Sequence, residues 1–107
     1  MTSVTFFKAG SEITGFEIKG HTGFASEGED IVCSAISSAA IMAANTVTEI
    51  VGDKADITED DGHLRFESSS LSGSSHDILR GLEIHLKQIS EQYPDNIKII
   101  YGGKQNA

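Results

Sequence analysis

The chain has 107 residues, 38% of them apolar, a size that allows one domain with a single core and no need of disulfide or metal staples. Its net charge of −8 and its eight scattered Lys and Arg exclude a phosphate-backbone partner, which needs clustered cations; an acidic surface serves solubility or attracts a basic partner. The single cysteine excludes an internal disulfide, no apolar run reaches the roughly 18 residues of a membrane span, and no secretory signal opens the chain, so a cytoplasmic protein without membrane or nucleic-acid contact is expected.

Val4-Thr5-Phe6-Phe7 is β-branched and aromatic and reads as a strand. After the turn Ala9-Gly10-Ser11, Phe16 and Ile18 alternate with Glu17 and Lys19, the period of a half-buried second strand. The two form a hairpin, and Gly20 closes the second strand and delivers His21 to its end.

From Ile31 to Val51 the period becomes helical, with Val32, Ile36, Ala39, Ala43, Val47 and Ile50 on one face. Asp30 reads as the N-cap and Gly52 as the left-handed stop. Much of this helix is Ala and Ser, which permits close backbone approach to the sheet or to a second subunit.

Asp61-Gly62 reads as a type I′ hairpin turn. Counting outward, His63 pairs with Asp60, Leu64 with Glu59, Arg65 with Thr58 and Phe66 with Ile57. The serine-rich stretch from Ser68 to Ser75 is a connection, and Ser74 with Asp77 signals a helix start. That helix carries Ile78, Leu82, Leu86, Ile89 and Tyr93 on one stripe and ends at Pro94. Ile97 to Tyr101 is a last strand, apolar enough to be covered on both sides. Residues 102–107 read as a loose tail.

The order strand-strand-helix-strand-strand-helix-strand predicts an α+β sandwich in one domain: a mostly antiparallel sheet with two helices on one face. The chain shows no internal repeat and no linker.

The chemistry concentrates between Gly20 and Cys33. With Asp30 as N-cap, Cys33 is the third helical residue, where unpaired N–H groups and the helix dipole favour a thiolate. The same donors would hold the oxyanion of a tetrahedral intermediate, and His21 would take the thiol proton and return it to a leaving amine. Glu29 and Asp30 oppose a second anion beside them, unless His21 is charged or Asp30 orients it. The competing reading of Cys33 is a small buried hydrophobe among alanines.

Other chemistries fail on spacing. A phosphatase loop needs Arg six positions after the cysteine, where Ala39 stands. There is no Cys-x-x-Cys for exchange or zinc, and His76 and His85 do not share a helix face. His63 reads as a polar turn residue, and Gly20-His21-Thr22-Gly23 has neither Walker nor Rossmann spacing. Neither a metal nor an organic cofactor is expected.

The run Gly20-His21-x-Gly23-x-Ala25, followed by Gly28-x-Asp30-Ile31-Val32-Cys33-x-Ala35-x-Ser37, resembles the ribosomal-processing cysteine proteases, small bacterial enzymes. Thr22 stands where that family often has alanine. The resemblance implies a cytoplasmic homodimeric endopeptidase that trims the N-terminal extension of a large-subunit ribosomal protein before ribosome assembly. It makes Cys33 the nucleophile and His21 the general base, with Asp30 orienting His21 or capping the helix. Gly23 and Gly28 would be flexible points of a substrate-admitting loop. Ser37, one turn beyond Cys33, either supports the site or packs. The alternative from another class is a non-catalytic module that binds the ribosomal protein or an assembly intermediate.

Overall fold

The computed structural model describes residues 1–20 and 27–103, excepting the side chains of 27–30 and 103. The elements are β1 (Thr2–Ala9), β2 (Glu12–Lys19), α1 (Glu27–Asn45) running into a π-helical segment (Thr46–Val51), β3 (Asp56–Asp60), β4 (His63–Glu67), α2 (Gly73–Gln92) and β5 (Ile97–Gly103). One five-stranded sheet has the order β3-β4-β2-β1-β5. All its pairs are antiparallel except β1 with β5. The expected α+β arrangement, two helices on a mostly antiparallel sheet, is what forms.

Strand β2 occupies the centre and carries a β-bulge. Its pairing with β1 steps from Phe7↔Gly15 to Lys8↔Ile13, so Thr14 is the extra residue. A one-residue step reverses which side chains face the core. Ile13, Phe16 and Ile18 are therefore all buried although their spacing is irregular. Gly15 is required beside the bulge, because a β-carbon there would stand 2.3 Å from the carbonyl oxygen of Phe66 on β4.

The core lies between the sheet and the helices. Val4 and Phe6 from β1, Phe66 from β4 and Ile97 from β5 join the β2 side chains. Val32, Ile36, Ala40, Ala43 and Val47 of the first helix and Leu79, Leu82 and Leu86 of α2 cover them. Phe16 and Phe66, opposite each other across the ladder, stack with centroids 5.2 Å apart and planes 2° from parallel. Aromatic pairs of this kind add to the value of their buried area.

Several expectations are corrected. Helix α1 starts at Glu27, so Asp30 lies within its first turn instead of capping it, and Cys33, counting from Glu27, is its seventh residue. Acidic residues suit the first helical turn as well as the cap, which is why the polar run hid the true start. Ile50, placed by its spacing on the inner face, is 80% exposed. The last turn is π-helical, and its wider winding shifts the phase there. Thr46 and Thr48 donate side-chain hydroxyls to the carbonyls of Met42 and Ala44, a back-bonding that disturbs a regular ladder. Gly52 does stop the helix, with φ 86° and its N–H on Val47 O.

The 57–66 hairpin has the expected register. Its turn is not type I′, because among its two central residues only Gly62 takes positive φ. Helix α2 starts two residues earlier than Ser74 suggests, behind Ser72 as N-cap. Asp53 Oδ2 accepts from both Ser72 N and Ser72 Oγ, tying the end of the first helix to the start of the second. The inner stripe of α2 centres on Ser75, Leu79, Leu82 and Leu86, leaving Tyr93 exposed. Strand β5, at the edge of the sheet, is not covered on both sides: Ile97 and Ile99 face the core, while Lys98 on the opposite face is exposed and Ile100 is only half-buried. It runs through Gly102 and Gly103, which therefore belong to the sheet; 104–107 lie outside the described residues.

The segment Ile31–Val51 has a mean hydropathy of 1.6 over its best window and is long and apolar enough to cross a membrane by length and composition. Counting only unbroken apolar residues misses it, since its serines and threonines interrupt the run. In the fold its inner face is the cover of the sheet.

Glu83 on α2 is only 3% exposed. Its carboxylate accepts from Tyr101 Oη at 2.5 Å and from Arg80 Nη1 at 2.6 Å, which fastens α2 to β5. Burial alone would raise this carboxyl, but the hydrogen bonds from Tyr101 and Arg80 and the charges of Arg80 and Lys8 hold it below the usual carboxylate range. A group depressed in the folded state binds fewer protons there than when unfolded. Its stabilisation is complete above the ordinary Glu range and is lost as pH falls through the folded value. Glu83→Gln should accordingly flatten the acid limb of the stability–pH curve in urea titrations; a limb as steep as the parent's would place its origin elsewhere. Phe66→Ala should cost about 3–5 kcal/mol in the same assay, and a loss below about 1 kcal/mol would show that the Phe16–Phe66 stack is not central.

Candidate active site

The end of β2, the first strand and the second turn of α1 converge on one sulfur. Gly20 follows β2 and donates its N–H to Gly62 O at 2.8 Å, which fixes it against the 61–62 turn. A β-carbon at position 20 would stand 2.8 Å from Cys33 Sγ, closer than real side chains approach. Only glycine lets the thiol lie against the strand end. Thr2 Oγ1 sits 3.2 Å from the same sulfur, at hydrogen-bonding distance. Cys33 is half-buried and free of any disulfide.

The sulfur opens on a pocket of about 160 Å³. Ile18, Ile41 and Leu64 provide apolar wall, Glu59 and Asp60 provide acid at the hairpin, and Ser37 stands one turn along α1 from Cys33. Ser37 thus belongs to the same pocket, as its spacing suggests. A larger cavity of about 480 Å³ lies between Thr48, Asp53 and Ser68–Ser70; it brings no thiol or imidazole to its walls.

Because α1 begins at Glu27, its unpaired N–H groups belong to the turn before Cys33. The Cys33 N–H is used in the helix ladder. The helix start therefore offers the sulfur less than a third-position cysteine would receive, since the dipole's influence fades within the first turn. His21 and Gly23 lie outside the described residues. Gly28 and Asp30 are placed by their backbone in the first turn of α1, so Gly28 is a helical residue instead of a flexible loop point; the Asp30 side chain is not described. His63 opens β4 on the strand phase opposite Leu64 and Phe66, and its Nε2 meets Glu17 Oε2 at 2.5 Å. It is thus paired across the sheet instead of being a free turn residue. Among the described residues, no group of three or more His, Cys, Asp or Glu could hold a metal ion.

Two residues of this arrangement escape a motif-based reading. Gly20 looks like a strand terminator, and its role as the seat of the sulfur depends on the packing of α1. Thr2 is a polar residue on the same alternate phase as Val4 and Phe6. That parity, a hydroxyl on a core-facing position, is the signal that could have found it.

The chain matches the family model described as Cysteine protease Prp over residues 1–98. It is 32% identical over 94 residues to the ribosomal processing cysteine protease Prp of Bacillus subtilis (strain 168), covering 81% of this chain and 84% of that protein. The crystal structure of the essential ribosomal processing protease Prp from S. aureus in complex with a substrate peptide superposes with a TM-score of 0.88 at 25% identity, over 95% of this chain and 100% of that one. A second structure of the S. aureus protease, with a covalently linked product peptide, gives a TM-score of 0.82 at 25% identity over the same shares of the two chains.

The contact at Gly20 is open to test. Cysteine has one side-chain torsion, so Gly20→Ala should relieve the clash by turning Sγ to another rotamer at a stability cost of about 1 kcal/mol. A crystal structure of the variant should show the sulfur out of reach of Thr2. An unmoved sulfur would mean that the end of β2 yields instead.

Proposed function

This chain belongs to the cysteine protease Prp family, and from that premise we propose that it removes the N-terminal extension of a large-subunit ribosomal protein during ribosome assembly, in the cytoplasm, with Cys33 as nucleophile and His21 as general base. The observation that carries this reading is the seat of Cys33: a half-buried thiol lies against Gly20 and opens on a pocket. His21 follows Gly20 by one peptide bond, so its Cα is about 3.8 Å from that of the glycine.

The reaction is an acyl transfer in two halves. His21 accepts the thiol proton, and the sulfur adds to the scissile carbonyl carbon. When the tetrahedral intermediate collapses, the C–N bond breaks and His21 gives its proton to the departing amine. Water, deprotonated by the same imidazole, then attacks the thioester, and the C–S bond breaks with its electron pair returning to sulfur. Asp30 orients His21 and Ser37 supports the pocket wall in this reading.

The walls fit the substrate class. Ile18, Ile41 and Leu64 suit apolar side chains of an extended peptide, while Glu59 and Asp60 favour basic ones. The net charge of −8 adds a general attraction for a basic ribosomal protein. A homodimer is supported by the apolar side chains that α1 and its π-helical end leave exposed, among them Ile31, Met42 and Ile50.

Incubation with an N-terminally extended ribosomal protein, followed by mass analysis, should show one cut near the N-terminus. Cys33→Ala should abolish it, and His21→Ala should slow it by about 10²–10⁴-fold. Cleavage at the parent rate by Cys33→Ala would place the nucleophile elsewhere and remove this reading.

A further inference from the structure

Thr2 opens β1 on the phase of Val4 and Phe6, and it is fully buried. Its backbone is held from the other end of the sheet: the Thr2 N–H donates to Asn96 O at 2.9 Å, and the residue pairs with Ile97 of β5. A buried hydroxyl needs a partner, and Oγ1 has Cys33 Sγ at 3.2 Å. The space for this contact exists because residue 20 is glycine; a β-carbon there would crowd the sulfur at 2.8 Å and touch Thr2 Oγ1 at 3.7 Å.

We propose that Thr2 is a positioning residue for Cys33, its hydroxyl holding the sulfur in one orientation at the pocket and stabilising it as the thiolate. The inference rests on Cys33 being the nucleophile. In the neutral thiol either group can donate the shared hydrogen. The thiolate has no proton, so Thr2 must then be the donor, and a hydrogen bond to an anion is stronger than one between neutral groups. The contact therefore favours the charged sulfur. It acts twice in the cycle. Before attack it raises the share of thiolate, and on hydrolysis of the thioester it receives the sulfur as the C–S bond breaks. Its location on the first strand supplies a donor that the start of α1 does not.

Thr2→Val keeps the shape and removes the hydroxyl, and Thr2→Ser keeps the hydroxyl and removes the methyl. For each variant the rate of Cys33 alkylation by iodoacetamide is followed against pH, alongside kcat and KM for the extended ribosomal protein. In Thr2→Val the midpoint of the alkylation profile should move up by about one pH unit, the shift that loss of one charge-assisted hydrogen bond implies. The high-pH plateau should not fall, because a less stabilised thiolate is no poorer a nucleophile. At neutral pH kcat should drop about tenfold with KM little changed, and Thr2→Ser should restore both the profile and kcat. Thr2→Ala gives the same comparison if the valine variant unfolds. A Thr2→Val profile that superposes on the parent's, or a Thr2→Ser profile displaced as far as it, would overturn the proposal. Alkylation requires no protein substrate, so this outcome is distinct from failure of the protease reading, which Cys33→Ala decides.

Discussion

The one-residue bulge in β2 governs where everything else can be. A regular strand would bury either Ile13 or Phe16 and Ile18; the extra residue at Thr14 lets all three face the helices. The bulge also demands a glycine at position 15, where β2 meets the backbone of β4. With the register so fixed on both flanks, β2 ends at Lys19, and Gly20 is bonded to the turn at Gly62. The sulfur of Cys33 then has one place to lie. The site is thus a consequence of strand register before it is a consequence of the helix that carries the cysteine.

The helix contributes by being thin. Alanines at 40, 43 and 44 are buried, allowing α1 to lie close over the sheet while Val32, Ile36 and Val47 provide most of the apolar contact. The same composition explains two features of its outer side. It is apolar enough to pass a membrane-span criterion, and it leaves Ile31, Met42 and Ile50 exposed. Helix α2 buries Leu79, Leu82 and Leu86 and is in addition fastened to β5 by a buried carboxylate, with Glu83 between Tyr101 and Arg80. Both helices pack apolar side chains on the sheet; the first adds close approach through alanines, the second a charge-assisted hydrogen bond.

Much of this was legible beforehand where two independent signals agreed. Asp61-Gly62 and the alternation on both flanks pointed to the same hairpin, and its register is as expected. Gly52 and the end of the helical period marked the same stop. Where a residue carried one ambiguous signal, the reading slipped. Asp30 suits a cap and a first turn equally, so the helix start moved by one turn and Cys33 moved inward with it. The π-helical turn that exposes Ile50 leaves no mark in periodicity, because it arises from hydrogen bonding within the helix. Leu79 is fully buried while Ile78 is only partly so, since both fit a helical stripe and only packing chooses between them. The motif from Gly20 to Ser37 was readable as a family pattern; the seat it sits on, Thr2 and Gly20 together, is a property of three dimensions.

The pairing of β1 with β5 has a bearing on how the molecule matures. Thr2 leaves the ribosome some ninety residues before Asn96 and Ile97, which hold it by backbone hydrogen bonding. Until then β1 is held by β2 alone, and the Thr2 backbone lacks its partner at Asn96. The order of synthesis thereby leaves the seat of Cys33 incomplete until β5 closes the sheet.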